Sequence, residues 1–155
     1  MKVGLIIYSH TGNTGSVAEQ LLEKLSDSGH NVSMEQITIT GNTPAQAGKF
    51  ELTGVPAPDS YDAIIFGAPV QAFTLNPVMK AYLDQLPSLS GKKVACFVTK
   101  QIPFLWVGGT GAIALMKKAC ESKGAEIVGT EIVVWAGAKR ERSINNCVEN
   151  LSRLF

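Results

Sequence analysis

Two rhythms of apolar residues run along the chain, and each predicts a different element. Residues 2 to 8, 32 to 38, 62 to 67, 93 to 99 and 126 to 135 are short runs rich in β-branched and aromatic side chains between turn formers, which predicts five strands. Ile64-Ile65-Phe66 and Val94-Ala95-Cys96-Phe97-Val98 do not alternate with polar residues, as suits central parallel strands covered on both faces. Between them the period lengthens to about 3.6. Val17, Ala18, Leu21, Leu22 and Leu25 make one helical stripe closed by Gly29, and Ala112, Leu115, Met116, Ala119 and Cys120 make another before Gly124. Ile144, Cys147, Val148, Leu151 and Phe155 form a last one. Asn76 as N-cap and Pro77 at the first helical position open a helix that presents Val78, Met79, Tyr82, Leu83 and Leu86. From Thr40 to Ser60 three prolines and three glycines break the rhythm, which predicts a loop with at most one short helical turn. Strands alternating with helices predict a single α/β domain with an open, doubly wound sheet, whose ligands bind beyond the carboxyl ends of the strands.

Composition narrows the function. The 155 residues are 45% hydrophobic and 17% charged, enough to build a core and unlike a disordered tail. Fourteen Lys and Arg against thirteen Asp and Glu leave a net charge of +1, with no basic run, so neither nucleic acid nor stable membrane insertion is expected. No apolar stretch approaches the roughly 18 residues of a membrane span, and a cytoplasmic protein is expected. Cys96, Cys120 and Cys147 are odd in number and widely spaced, which predicts buried free thiols; His10 and His30 have no ligand-spaced partners, so no metal is expected.

The loop Ser9-His10-Thr11-Gly12-Asn13-Thr14-Gly15-Ser16 runs from a buried strand straight into an amphipathic helix. Hydroxyls of Ser9, Thr11 and Thr14, the close approach that Gly12 permits, and the N–H groups of Asn13 and Thr14 at a helix start make it a candidate phosphate cradle. It contains no Lys or Arg, so a terminal monophosphate fits better than a triphosphate. Thr40-Gly41-Asn42-Thr43 repeats part of this motif, but Pro44 and a segment without an apolar stripe follow it, and an ordinary turn is expected. Gly109-Thr110-Gly111-Ala112-Ile113-Ala114 fits the dinucleotide pattern G-x-G-x-x-A, yet a loop separates it from the preceding strand; helix entry after a glycine hinge is the better account.

Ser9-His10-Thr11-Gly12-Asn13-Thr14 resembles the phosphate loop of flavodoxins. Gly67-Ala68-Pro69-Val70-Gln71-Ala72-Phe73-Thr74, followed by Asn76-Pro77-Val78-Met79-Lys80-Ala81-Tyr82-Leu83, resembles the flavin loop and helix of flavodoxin-like proteins and their quinone-reductase relatives. The resemblance spans essentially the whole chain. It implies a flavodoxin-like three-layer sandwich with strand order 2-1-3-4-5 and FMN as cofactor at the switch point; flavodoxin is itself the standard instance of that rule. It places the phosphate on Ser9, Thr11, Gly12, Asn13 and Thr14, with His10 at a variable position facing either phosphate or solvent. The ring would lie between Pro69, Val70, Gln71, Ala72 and Phe73 on one side and Thr99, Lys100, Gln101, Ile102, Pro103, Phe104 and Trp106, continuing to Gly108 and Gly109, on the other. Phe73, Phe104 and Trp106 are candidates either for stacking on the ring or for anchoring the core.

One departure bears on function. Flavodoxin electron carriers are typically strongly acidic, which steers basic partners and opposes a negative charge on the reduced flavin; this chain stands at +1. Lys100 is either a solvated surface lysine or a cation beside the ring that favours two-electron reduction. No acid, base or nucleophile triad is evident. The expectation is an FMN redox protein, leaning toward an oxidoreductase that takes electrons from a nicotinamide donor to a quinone-like or other small acceptor. The alternatives are a one-electron carrier between protein partners and a binding module without redox chemistry. Oligomeric state is left open.

Overall fold

Apolar residues in the central strands alternate between two cores, and this explains why those strands read as unbroken hydrophobic runs. In the computed structural model, which describes residues 1–40, 50–101 and 108–155, the first strand is β1 (Lys2–Ile7), followed by α1 (Asn13–Asp27) and β2 (Asn31–Gln36). Then come β3 (Thr38–Ile39), β4 (Leu52–Gly54), β5 (Ala63–Gln71), β6 (Thr74–Leu75) and α2 (Pro77–Gln85). The chain ends with β7 (Lys93–Lys100), α3 (Gly109–Ser122), β8 (Glu126–Val134) and α4 (Arg140–Ser152). The five long strands pair in parallel in the order β2-β1-β5-β7-β8, the expected 2-1-3-4-5 arrangement.

Val3, Leu5 and Ile7 of β1 join Ala63, Ile65, Ala95 and Phe97 in a core shared with Val17, Leu21 and Leu25 of α1 and Ile144, Cys147 and Leu151 of α4. Ile6, Ile64, Phe66, Val94, Cys96 and Val98 point the other way, to Met79, Tyr82 and Leu83 of α2 and Ala112, Met116 and Cys120 of α3. A one-residue slip of register would exchange the two sets. Each fully buried Leu, Ile, Val or Phe contributes about 1.5–3 kcal/mol relative to an exposed one, so these two cores fix the strand ends that carry the site. All three cysteines are buried free thiols, as expected. Among the described residues no helix is long and apolar enough to cross a membrane.

The fold departs from the sequence expectation in three places, one of them Leu115, which was expected on the packed stripe of α3 and is exposed. The third long strand does not stop at Gly67: β5 runs on to Gln71, stays in register with β7 as far as Pro69↔Thr99, and folds back through β6. The stretch after Thr40 contributes a strand instead of a helical turn among its described residues, because β4 pairs antiparallel with β3 and the Thr38 and Thr53 hydroxyls lie 3.1 Å apart. The repeated motif Gly41-Asn42-Thr43 lies outside the described residues, as do Ile102, Pro103, Phe104 and Trp106.

Candidate functional site

Helix α1 begins at Asn13 because Gly12 takes a left-handed conformation, φ 91°, which turns the chain sharply out of β1. No side chain caps this start, and no acidic residue stands in its first turn. The Ser9 hydroxyl accepts the Gly15 N–H at 3.1 Å and closes the turn on itself, while the same O–H remains a donor. A Cβ placed on Gly12 would meet nothing within 4 Å, so the turn is open where an anion would come. Neutral backbone N–H groups, hydroxyls and an uncapped helix start suit a phosphate.

Below the turn, Thr14 and Thr99 are both buried and their hydroxyl oxygens are 2.9 Å apart. This bond ties the first turn of α1 to the end of β7. One proton serves the pair and one O–H is left over to donate. Thr14 lies beneath the loop and lines neither adjoining recess, whereas Thr99 is in the wall of the cleft.

That cleft, about 290 Å³, is bounded by His10, Thr11 and Asn13 on one side, Pro69, Val70, Gln71 and Asn76 on the second, and Thr99, Lys100 and Gln101 on the third. Its volume is at the lower end of small-molecule sites. A second recess on the far side of the turn, about 450 Å³, contains Ser9, Gly12, Ser16, Gln36 and the carboxylate-bearing Glu19. Exposed His10 and Thr11 border both and form the ridge between them. Charge differs between the two: Glu19 lines the outer recess and Lys100 lines the cleft.

Lys100 is not the solvated lysine that one reading of the sequence allowed. It is 4% exposed, and burial lowers its pKa from the ordinary lysine value because desolvation penalises the ammonium. An anion in the cleft would offset that penalty.

Asn76 was legible as a helix cap but not as part of the site. Its Oδ1 accepts the Val78 N–H at 2.8 Å, and its Nδ2 donates to Gln71 Oε1 at 2.8 Å, so one buried residue starts α2 and fixes the Gln71 amide at the cleft wall. The Asn-Pro pair carried the first signal; nothing local announced the second.

Ala72 and Phe73 form the two-residue tip between β5 and β6, with φ of 49° and 62°. Such a hairpin needs two left-handed residues and favours Asn-Gly; Ala-Phe holds that shape at about 1–2 kcal/mol per residue. Phe73 is 65% exposed, which excludes its role as a core anchor. Gly108 caps α3 with φ 82°, and a Cβ there would lie 2.9 Å from the Phe73 Cα, so the tip rests on the glycine. Gly109 is the first, buried residue of α3, and a Cβ there would lie 3.0 Å from the Lys100 side chain. The structure thus brings the first, third and fourth strand loops to one cleft. Among the described residues no cluster of His, Cys, Asp and Glu could hold a metal ion.

Comparison with known proteins agrees with this fold. A flavodoxin from Megasphaera elsdenii is 28% identical over 134 residues, covering 84% of this chain and 85% of that protein. The solved flavodoxin of Streptococcus pneumoniae TIGR4 superposes with a TM-score of 0.70 at 19% identity over 100% of both chains. A flavoprotein from Lactobacillus acidophilus NCFM, solved in complex with FMN, gives 0.63 at 16% identity over 94% of this chain and 97% of that one. Residues 5–103 match the family described as a flavodoxin domain, and the chain belongs to that family.

Proposed function

We propose that this chain binds FMN with its phosphate at the Ser9 to Thr14 turn and its ring in the cleft between the ends of β5 and β7, and that it moves electrons between a donor and an acceptor. The neutral donors and open space at the turn fit a monophosphate, and the FMN complex of the Lactobacillus flavoprotein supports the cofactor's identity. When bound, FMN supplies reversible electron and hydride chemistry. The protein's part is to hold and bias it: backbone N–H groups grip the phosphate, Asn76 aims the Gln71 amide, and Lys100 sets the charge at the ring.

The observation that carries the finer reading is Lys100, a cation buried in the cleft wall. It favours two-electron use, with a nicotinamide donor and a quinone-like or other small acceptor. One-electron shuttling between proteins is the second reading, favoured by the flavodoxin relatives, whose length the chain nearly spans. FMN titration followed by fluorescence quenching, then stopped-flow mixing with NADH and NADPH, separates them. Tight binding with rapid bleaching by a nicotinamide alone supports the oxidoreductase; tight binding with no reaction until a partner reductase is added supports the carrier. Failure to bind FMN would remove both.

A further inference from the structure

All the parallel strands point their carboxyl ends at the edge that holds the cleft, where Glu19 stands by the first turn of α1 and three cations cluster at the start of α4. The first turns of α1, α2 and α3 contain no acidic residue, although acids are favoured there; Glu141 in α4 is the exception. Beside Glu141 stand Lys139, Arg140 and Arg142, all exposed. Among the described residues the ion pairs use Lys24, Lys80 and Arg153, and none involves these three.

The cluster is attached to the cleft by a short chain of contacts. Arg140 donates from Nε to the Trp135 carbonyl at 2.6 Å, and its guanidinium carbon stands 5.1 Å from the centre of the Trp135 ring. Trp135 in turn donates its N–H to the Lys100 carbonyl at 2.8 Å, and Lys100 lines the cleft. Arg140 is therefore held in place, and Lys139 and Arg142 flank it at the exposed start of α4.

We infer that Lys139, Arg140 and Arg142 form a docking rim for the acidic face of a redox partner protein. The inference rests on the electron-transfer reading for its purpose, and on the distribution of charge for its chemistry. Lys139, Arg140 and Arg142 outweigh Glu141, and an exposed patch of net positive charge raises the encounter rate with a partner of opposite sign and disfavours partners of like sign. The free cations lie at the surface, so salt would screen the attraction over about 8–10 Å.

The test uses the FMN-loaded chain and a reduced acidic [2Fe–2S] ferredoxin as probe, two ferredoxins giving one electron each. The second-order rate is expected to fall about tenfold between about 20 mM and about 500 mM salt. At low salt it should fall about tenfold again in Lys139→Glu/Arg142→Glu, with Lys139→Gln/Arg142→Gln in between and FMN affinity unchanged in both. A rate indifferent to salt, or unchanged in the charge-reversed variant, overturns the proposal. So does a variant that slows with NADPH but not with NADH or ferredoxin, because the rim would then be a subsite for the dinucleotide's extra phosphate. Should the chain not bind FMN, the electron-transfer reading fails by itself. Calorimetry of the cofactor-free chain with the same ferredoxin then still tests the rim: heat of binding that vanishes in high salt and in the charge-reversed variant upholds it, and no heat overturns it.

Discussion

Helices α1 and α3 enter the fold in the same way and do different things. Each starts at a left-handed glycine, Gly12 with φ 91° and Gly108 with φ 82°, without a side-chain cap or an acid in its first turn, and each has threonine two residues later. Space distinguishes them. Nothing approaches Gly12, whereas the backbone of Phe73 rests against Gly108. Thr14 is buried on Thr99, and Thr110 is exposed. An anion site therefore needs more than a helix start with glycines: it needs an unfilled approach and a supported first turn, and here the tip of the β5–β6 hairpin occupies the second entry.

The largest effect should come from filling the occupied entry. Gly108→Ala adds a methyl 2.9–3.0 Å from the Phe73 backbone at a left-handed φ, and neither the hairpin nor the helix can yield cheaply. Overpacking at about 1–3 kcal/mol and the conformational penalty at about 1–2 kcal/mol together predict a loss near 3 kcal/mol in urea unfolding. A loss below about 1 kcal/mol would mean that the hairpin tip gives way freely and the second entry is not truly closed.

A smaller effect separates the two threonines. Thr14→Val and Thr99→Val each leave the other hydroxyl buried without its partner, and each should lower stability by about 1–3 kcal/mol. The double variant should lose less than the two single losses added together, which a double-mutant cycle measures. FMN affinity should weaken about tenfold in Thr14→Val, either through a lost donor or through a shifted first turn. Thr110→Val, at the matching position of α3, should change neither quantity. Equal behaviour of the two valines would erase the distinction between the entries.

How much of this was legible depends on whether a residue's role is local. The strands, the helical stripes and the Asn76-Pro77 start of α2 follow from periodicity and from capping chemistry confined to a few neighbours. The dinucleotide-like glycines at Gly109 and Gly111 read correctly as helix entry, because a strand was missing where that motif requires one. The hairpin tip was not legible: Ala72 and Phe73 are poor turn residues, and it is the pairing of β5 with β6 that forces both into the left-handed region. Nor was the burial of Lys100, since a lysine ending a strand normally reaches water, and it is the distant start of α3 at Gly109 that packs against its side chain. The link between Arg140, Trp135 and Lys100 joins residues as far apart as 40 positions, and becomes visible only once β7 and β8 are paired.

The smallest expected effect is at the open entry. Gly12→Ala meets no atom within 4 Å, so only the left-handed φ opposes it, and stability should fall by about 1 kcal/mol against about 3 kcal/mol at Gly108. Ligand binding should respond the other way round. The new methyl would stand in the space assigned to the phosphate, so Gly12→Ala should weaken FMN more than Gly108→Ala does when both are measured by fluorescence titration under conditions where each is folded. Stability and affinity would then rank the two glycines in opposite orders. If Gly12→Ala left FMN affinity intact, the open space at the end of β1 would not be where the phosphate goes.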